Sequence, residues 1–138
     1  MSRHTESSAP RWIRGAAAFF GLFALSIAAA SLITPSMFDI DTSNGLQYGA
    51  LITGSARNLG LAGLLLLVAW RARVSELWLA LGLRSFVDLC DMVLSFFSPE
   101  LNPIVIITAG VFACVAGYAA FSAYRLAEGS TDPVPAGP

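Results

Sequence analysis

Four apolar runs, residues 13–34, 49–70, 76–97 and 103–124, make up most of this 138-residue chain. Each is long enough for one helix to cross a hydrocarbon core about 30 Å thick, which takes roughly 20 residues. Backbone N–H and C=O groups in lipid must be bonded within the segment, so runs of this kind fold as helices. The rest of the composition agrees. Only 12% of the residues are charged, against about 25% in soluble domains. Hydrophobic residues reach 56%, more apolar surface than a single small water-soluble domain can hide.

Local signals mark the ends of the runs. Thr34-Pro35 closes the first, and Asn102-Pro103 supplies an N-cap and a proline at the first helical position of the fourth. Only a few residues, 72–75, separate the second run from the third, so these two are expected to form an antiparallel hairpin. The link through Ser98, Pro99 and Glu100 is equally short, while residues 35–48 form a longer loop with the turn pair Asn44-Gly45. The expected fold is all-α, an integral membrane four-helix bundle running up-down-up-down over residues 11–126. Polar or Pro/Gly/Ser-rich tails at 1–10 and 127–138 are expected to be disordered. A rival reading takes the first run as a signal peptide cut near the small residues Ala28, Ala29, Ala30 and Ser31. Against it, the apolar stretch continues through Leu32 and Ile33 to full spanning length.

Arginine placement sets the orientation. Arg3, Arg11 and Arg14 precede the first run, Arg71 and Arg73 lie between the second and third, and Arg125 follows the fourth. The other two connections carry Asp39, Asp41 and Glu100 instead. Both termini are therefore expected on the cytoplasmic side. Trp12, Trp70, Trp78 and Tyr124 fit an inner aromatic belt, and Phe38 and Tyr48 an outer one. All eight basic residues are Arg, in an Ala- and Gly-rich chain, a usage compatible with a GC-rich bacterial genome and so with a bacterial inner membrane.

Several functions find no support. A net charge of −1 gives no reason to expect a nucleic-acid partner. Cys90 and Cys114 sit in apolar runs without a CxxC, and the lone His4 lies in the N-terminal tail, so a Cys/His metal site lacks a ligand set. No catalytic triad, haem-ligating histidine or nucleotide loop is present, and no cofactor is expected.

The charges inside the runs are the one chemical feature. Arg57 lies roughly 9–12 Å inside the outer edge of the second run at ~1.5 Å per residue. Asp91, on the oppositely directed third run, comes to the same depth. Asp88 lies near the midplane with Arg84 one turn further in. At about 100° per residue, positions 84, 88 and 91 share an arc of roughly 60° on one helix face. Arg84 can pair with Asp88 along the helix, and Arg57 can pair across the hairpin with Asp91 or Asp88. Two cations then meet two anions. An unpaired charge at mid-bilayer costs about 2.5–3.5 kcal/mol on insertion scales, so pairing is what makes the set tolerable. Asn58, Ser55 and Ser85 are expected to fill remaining hydrogen-bonding positions. Small residues four apart, Ala56 and Gly60, Ala113 and Gly117, Ala116 and Ala120, offer surfaces for close helix approach.

The central pattern resembles a family of small four-helix bacterial and fungal membrane proteins known only as a domain of unknown function, and DoxX-like proteins are similar in layout. The resemblance covers residues 49–97 and rests on Gly54, Arg57, Asn58, Gly60, Arg71, Arg73, Asp88 and Asp91. It implies a four-helix architecture with an Arg/Asp core and no particular reaction. An acidic residue is commoner than Asn after that arginine in the family, which leaves the counter-charge here to Asp88 and Asp91. Three functions stay open. The first is a structural or accessory bundle with an Arg57, Asn58, Arg84, Asp88 and Asp91 network, in contact with the bilayer and with a second copy or a partner subunit. The second uses the same cluster as a transport or binding site for a small apolar or anionic ligand. The third is a DoxX-like redox subunit.

Overall fold

The computed structural model describes residues 8–38, 41–97 and 103–129. They form α1 (Arg11–Ile33), a 3-10 turn (Pro35–Phe38), α2 (Gly45–Arg71), α3 (Val74–Ser95) and α4 (Pro103–Gly129), with no strand among the described residues. Arg3, His4, Asp39, Glu100 and the expected cap at Asn102 lie outside them, as do residues 130–138.

Asn44-Gly45, read from sequence as a loop turn, is the start of α2. The Asn44 side-chain Oδ1 accepts from Leu46 N and Gln47 N, satisfying donors that the first turn leaves free. Asp41 closes the loop ahead of it, accepting from the amide and the hydroxyl of Ser43. These two bonds hold the Asp41 carboxyl below its ordinary range. At the other end, α2 stops at Ala72, whose φ of 56° and ψ of 21° place it in the left-handed region usually given to glycine. The turn has outside support. Arg14 Nε donates to Ala69 O at 3.2 Å, filling one of the carbonyls orphaned by the helix end. Ala9 N donates to Ala72 O at 3.1 Å, and Ser8 bridges to Arg73. Ser8, Ala9 and Pro10 are thus laid against the α2–α3 turn instead of hanging loose, and Ala9 is buried.

The four helices pack as two pairs, α1 on α2 and α3 on α4, with a much thinner seam between α2 and α3. In the first pair Gly21 makes the close approach, since a β-carbon there would lie 2.9 Å from Leu66 Cγ. The buried Ser31 and Ser55 hydroxyls meet at 2.8 Å further along. In the second pair Ser85 Oγ donates to Ala113 O at 2.7 Å, directly over Gly117. The small stripe of α4 is the interface that the sequence suggested, with Ala113, Ala116 and Ala120 buried. The Ala56/Gly60 stripe is not, because both residues are exposed and a β-carbon at Gly60 would meet nothing.

The main core fills the half of the bundle nearer the α2–α3 turn. There Ile13 and Phe20 meet Leu65, Leu77 and Leu81, and Ala116 and Ala119 close the layer. Outward, Phe19, Leu22, Leu67, Leu79, Phe86 and Val111 are among many exposed large apolar side chains. Soluble monomers rarely expose contiguous apolar patches beyond roughly a few hundred Å². Three helices, Arg11–Ile33, Gly45–Arg71 and Ile106–Gly129, are long and apolar enough to cross a membrane. The third of the four expected spans does not meet that measure, because Glu76, Arg84, Asp88 and Asp91 all fall on α3.

The packing separates two glycines that look alike in sequence. Gly21→Val should lower stability by about 1–3 kcal/mol through overpacking against Leu66, while Gly60→Val should leave it nearly unchanged. Thermal unfolding of the two variants in detergent, followed by circular dichroism, checks this. Equal losses would mean that α1 and α2 do not approach at Gly21.

Candidate functional site

The half of the bundle away from the α2–α3 turn is not filled. A cavity of about 350 Å³ lies between all four helices there, and Arg57, Asn58, Arg84, Asp88 and Asp91 line one side of it. Phe23 and Ile27 of α1 with Ile104 and Phe112 of α4 form the other side. All five residues singled out by the sequence are therefore brought to one place.

Their pairing is specific. Arg57 Nη1 and Nη2 donate to Asp91 Oδ1 and Oδ2 at 2.8 and 2.9 Å, a bidentate bridge across the α2–α3 seam. Arg84 Nε donates to Asp88 Oδ2 at 2.9 Å, and Arg84 Nη2 donates to Asp88 Oδ1, one turn apart on α3. Four residues per step set these two on one helix face, so the pair needs no partner element. Of the two choices open to Arg57, the geometry takes Asp91, because Asp88 is already held by Arg84.

The two pairs sit in different surroundings. Arg84 and Asp88 side chains are 7% and 5% exposed, and the Arg84 guanidinium carbon lies 5.9 Å from the centre of the Phe20 ring. Arg57 and Asp91 side chains are 45% and 33% exposed, at the open end of the cavity. Arg84 is therefore the more deeply buried of the two arginines.

Two expectations about the surrounding polar groups are corrected. Ser55 and Ser85 do not serve the charges. Ser55 bonds to Ser31 of α1, and Ser85 bonds to the α4 backbone at Ala113, because helical spacing turns both away from the Arg/Asp face. Asn58 does line the cavity, and among the described residues its side-chain amide has no hydrogen-bond partner. An unpartnered amide beside two neutralised ion pairs offers an NH2 donor group and a carbonyl acceptor to a guest without any net charge to be matched.

The aromatic side of the cavity is what residue-by-residue reading missed. Phe112 packs edge-on against Phe20 and Phe23, with ring centres 5.4 and 4.8 Å apart. The signal was present as Phe20 and Phe23, three apart on one face of α1, but nothing in the sequence joins them to Phe112 of α4. No group of metal-binding side chains occurs among the described residues. Comparison of the chain with models of known families, with curated proteins and with solved structures gives no match.

The two pairs should respond differently to truncation. Arg84→Leu leaves the buried Asp88 uncompensated and should cost about 3–5 kcal/mol, with most of it recovered in the Arg84→Leu/Asp88→Leu double variant. Arg57→Leu should cost roughly half as much or less, since Asp91 keeps access to the cavity mouth. Folded yield and melting temperature across both double-mutant cycles give the measurement. Additive losses in either cycle would show that the pair in question is not coupled.

Proposed function

We propose that this chain is a four-span integral membrane protein that holds a small neutral amphiphile in the cavity beneath Arg57 and Asp91. The observation that carries the proposal is the cavity itself: a space of about 350 Å³ with aromatic walls on one side and a charge-balanced polar side on the other. A fully closed, ion-paired core would instead have favoured a purely structural role. Formal charges cancel within the two Arg–Asp pairs, so an ion entering the cavity would gain no net attraction to offset its loss of water. An uncharged molecule can place its apolar part against Phe23 and Phe112 and its hydrogen-bonding group at Asn58. Recognition of this kind, with a mostly apolar wall and a few placed polar groups, is the ordinary design of small-molecule sites. The proposal stands on the cavity and not on the DoxX-like resemblance.

The membrane arrangement belongs to the same proposal. Helices run up-down-up-down, with both termini on the cytoplasmic side of a bacterial inner membrane. Contacts supporting this order pair α1 near its start with the end of α2, through Arg14 and Ala69, and its end with the start of α2, through Ser31 and Ser55. Trp78 of α3 likewise meets Tyr124 of α4, and Ser85 meets Ala113. α3 is the costly span, and its charges cross as neutral pairs. α1 supplies Ile13, Ala17 and Phe20 to the core, which supports its retention over cleavage as a signal peptide.

A second reading, an accessory subunit whose Arg–Asp bridges only fix helix register, is favoured by the saturation of all four charges. Photolabelling separates the two. The neutral diazirine alcohol 3-azioctanol should mark cavity residues such as Phe23 and Phe112, and excess octanol should suppress the adducts while octanoate at pH 8 does not. Adducts spread evenly over lipid-facing side chains would sink the binding proposal and leave the accessory role. Topology has its own test. A C-terminal reporter active only outside the cytoplasm should stay silent, and activity would overturn this topology.

A further inference from the structure

On the outer flank of α1 and α2, level with the α2–α3 turn, lies a second and separate concavity. It is a groove of about 540 Å³ lined by Arg11, Arg14, Gly15, Ala18, Leu66 and Trp70. Its chemistry is the opposite of the central cavity. Arg57, Arg71, Arg73 and Arg84 each face a carboxylate. Arg11 and Arg14 have none among the described residues. Arg14 commits its Nε to Ala69 O, which fixes the guanidinium at the groove and leaves its terminal N–H groups to spare. Trp70, 85% exposed, stands at the rim. The floor is low because Gly15 and Ala18 carry so little side chain, and a β-carbon at Gly15 would meet nothing within 4 Å.

We propose that this groove binds the headgroup of an anionic phospholipid. The phosphodiester accepts from Arg11 and Arg14, and an acyl chain runs over Gly15 and Ala18 along Leu66. Charge complementarity selects the occupant: two uncompensated cations one turn apart on α1, a tryptophan at the interface level and an apolar trough leading inward match a lipid that is negative at one end and apolar at the other. An acidic protein partner would match the arginines but not the trough. The assignment rests on the membrane reading above, with the start of α1 at the cytoplasmic face, where anionic lipid attracts juxtamembrane cations.

The test uses the full chain purified in mild detergent and measures retained lipid by native mass spectrometry, with phosphatidylglycerol and phosphatidylcholine of equal chain length as probes. Phosphatidylglycerol should be retained in clear preference. Each arginine near the surface is worth about 1 kcal/mol, so Arg11→Gln should cut the preference about fivefold and Arg11→Gln/Arg14→Gln roughly twenty-five-fold. Arg11 is exposed, so its single variant keeps the fold, and Arg14→Lys, which restores charge, should recover most of the Arg14→Gln loss. Arg125→Gln, on the same side but outside the groove, should leave the preference unchanged. Equal retention of both lipids, or an equal loss in Arg125→Gln, would overturn the proposal. Displacement of phosphatidylglycerol by millimolar glycerol 1-phosphate would also overturn it, by showing a site for soluble phosphates. Alkaline carbonate extraction keeps the two failures apart: a chain that washes off the membrane removes the spanning reading and this site together, while a chain that stays without lipid preference removes this site alone.

Discussion

The bidentate bridge from Arg57 to Asp91 ties α2 to α3 beyond the core that all four helices share near the α2–α3 turn. α1 packs on α2 and α3 on α4 through small residues and serine bonds, but α2 and α3 touch only thinly away from their turn. A guanidinium and a carboxylate that meet in parallel hydrogen bonds fix distance and rotation together, which an apolar contact of the same size would not do. The core holds the α2–α3 seam on the side of the turn and the bridge holds it further along, with an unfilled stretch between core and bridge. The cavity is the space that this arrangement leaves.

The second pair answers a different problem. α3 carries Arg84, Asp88 and Asp91 in an otherwise apolar helix, and these charges leave it short of the apolar measure that the other three helices meet. Arg84 and Asp88 neutralise each other one helical turn apart, so no other helix has to supply their counter-charge. The Phe20 ring beside Arg84 then covers the guanidinium with a polarisable face in place of water. Asp91 is left over on α3, and Arg57 on α2. Local pairing of one couple is what makes the cross-helix pairing of the other specific, since it removes Asp88 as a competing acceptor.

The two concavities divide the molecule by charge. Toward the end remote from the turn, four ionised groups cancel, and the proposed neutral guest would meet a phenylalanine wall and an Asn58 amide that has no partner among the described residues. Toward the turn, Arg11 and Arg14 face no carboxylate among the described residues and lie beside an exposed tryptophan. A cancelled charge field recognises shape and hydrogen bonding, and an uncancelled one recognises sign. The same residue type, arginine, serves both ends because its planar head can either saturate a carboxylate or present free donors, according to what lies opposite.

Much of this was determined by sequence alone. Run length and apolar content dictate helices, and positions 84, 88 and 91 fall on one face by helical spacing whatever else the chain does. Depth matching along two helices joined by a short turn also places Arg57 beside the acidic face, because rise per residue is a property of the helix itself. Three decisions needed the tertiary structure. How far each arginine is covered depends on what packs over it: Phe20 lies beside Arg84, while Arg57 stays at the mouth of the cavity. Which small residues form an interface depends on helix rotation, so Ala113 to Ala120 are buried while Ala56 and Gly60 face outward. The cavity, finally, is shaped by four helices at once, and its Phe23–Phe112 wall joins residues far apart in the chain that no local pattern couples. Periodicity is a local property and can be read from a string of residues. The volume left between packed helices is a property of the whole assembly and cannot.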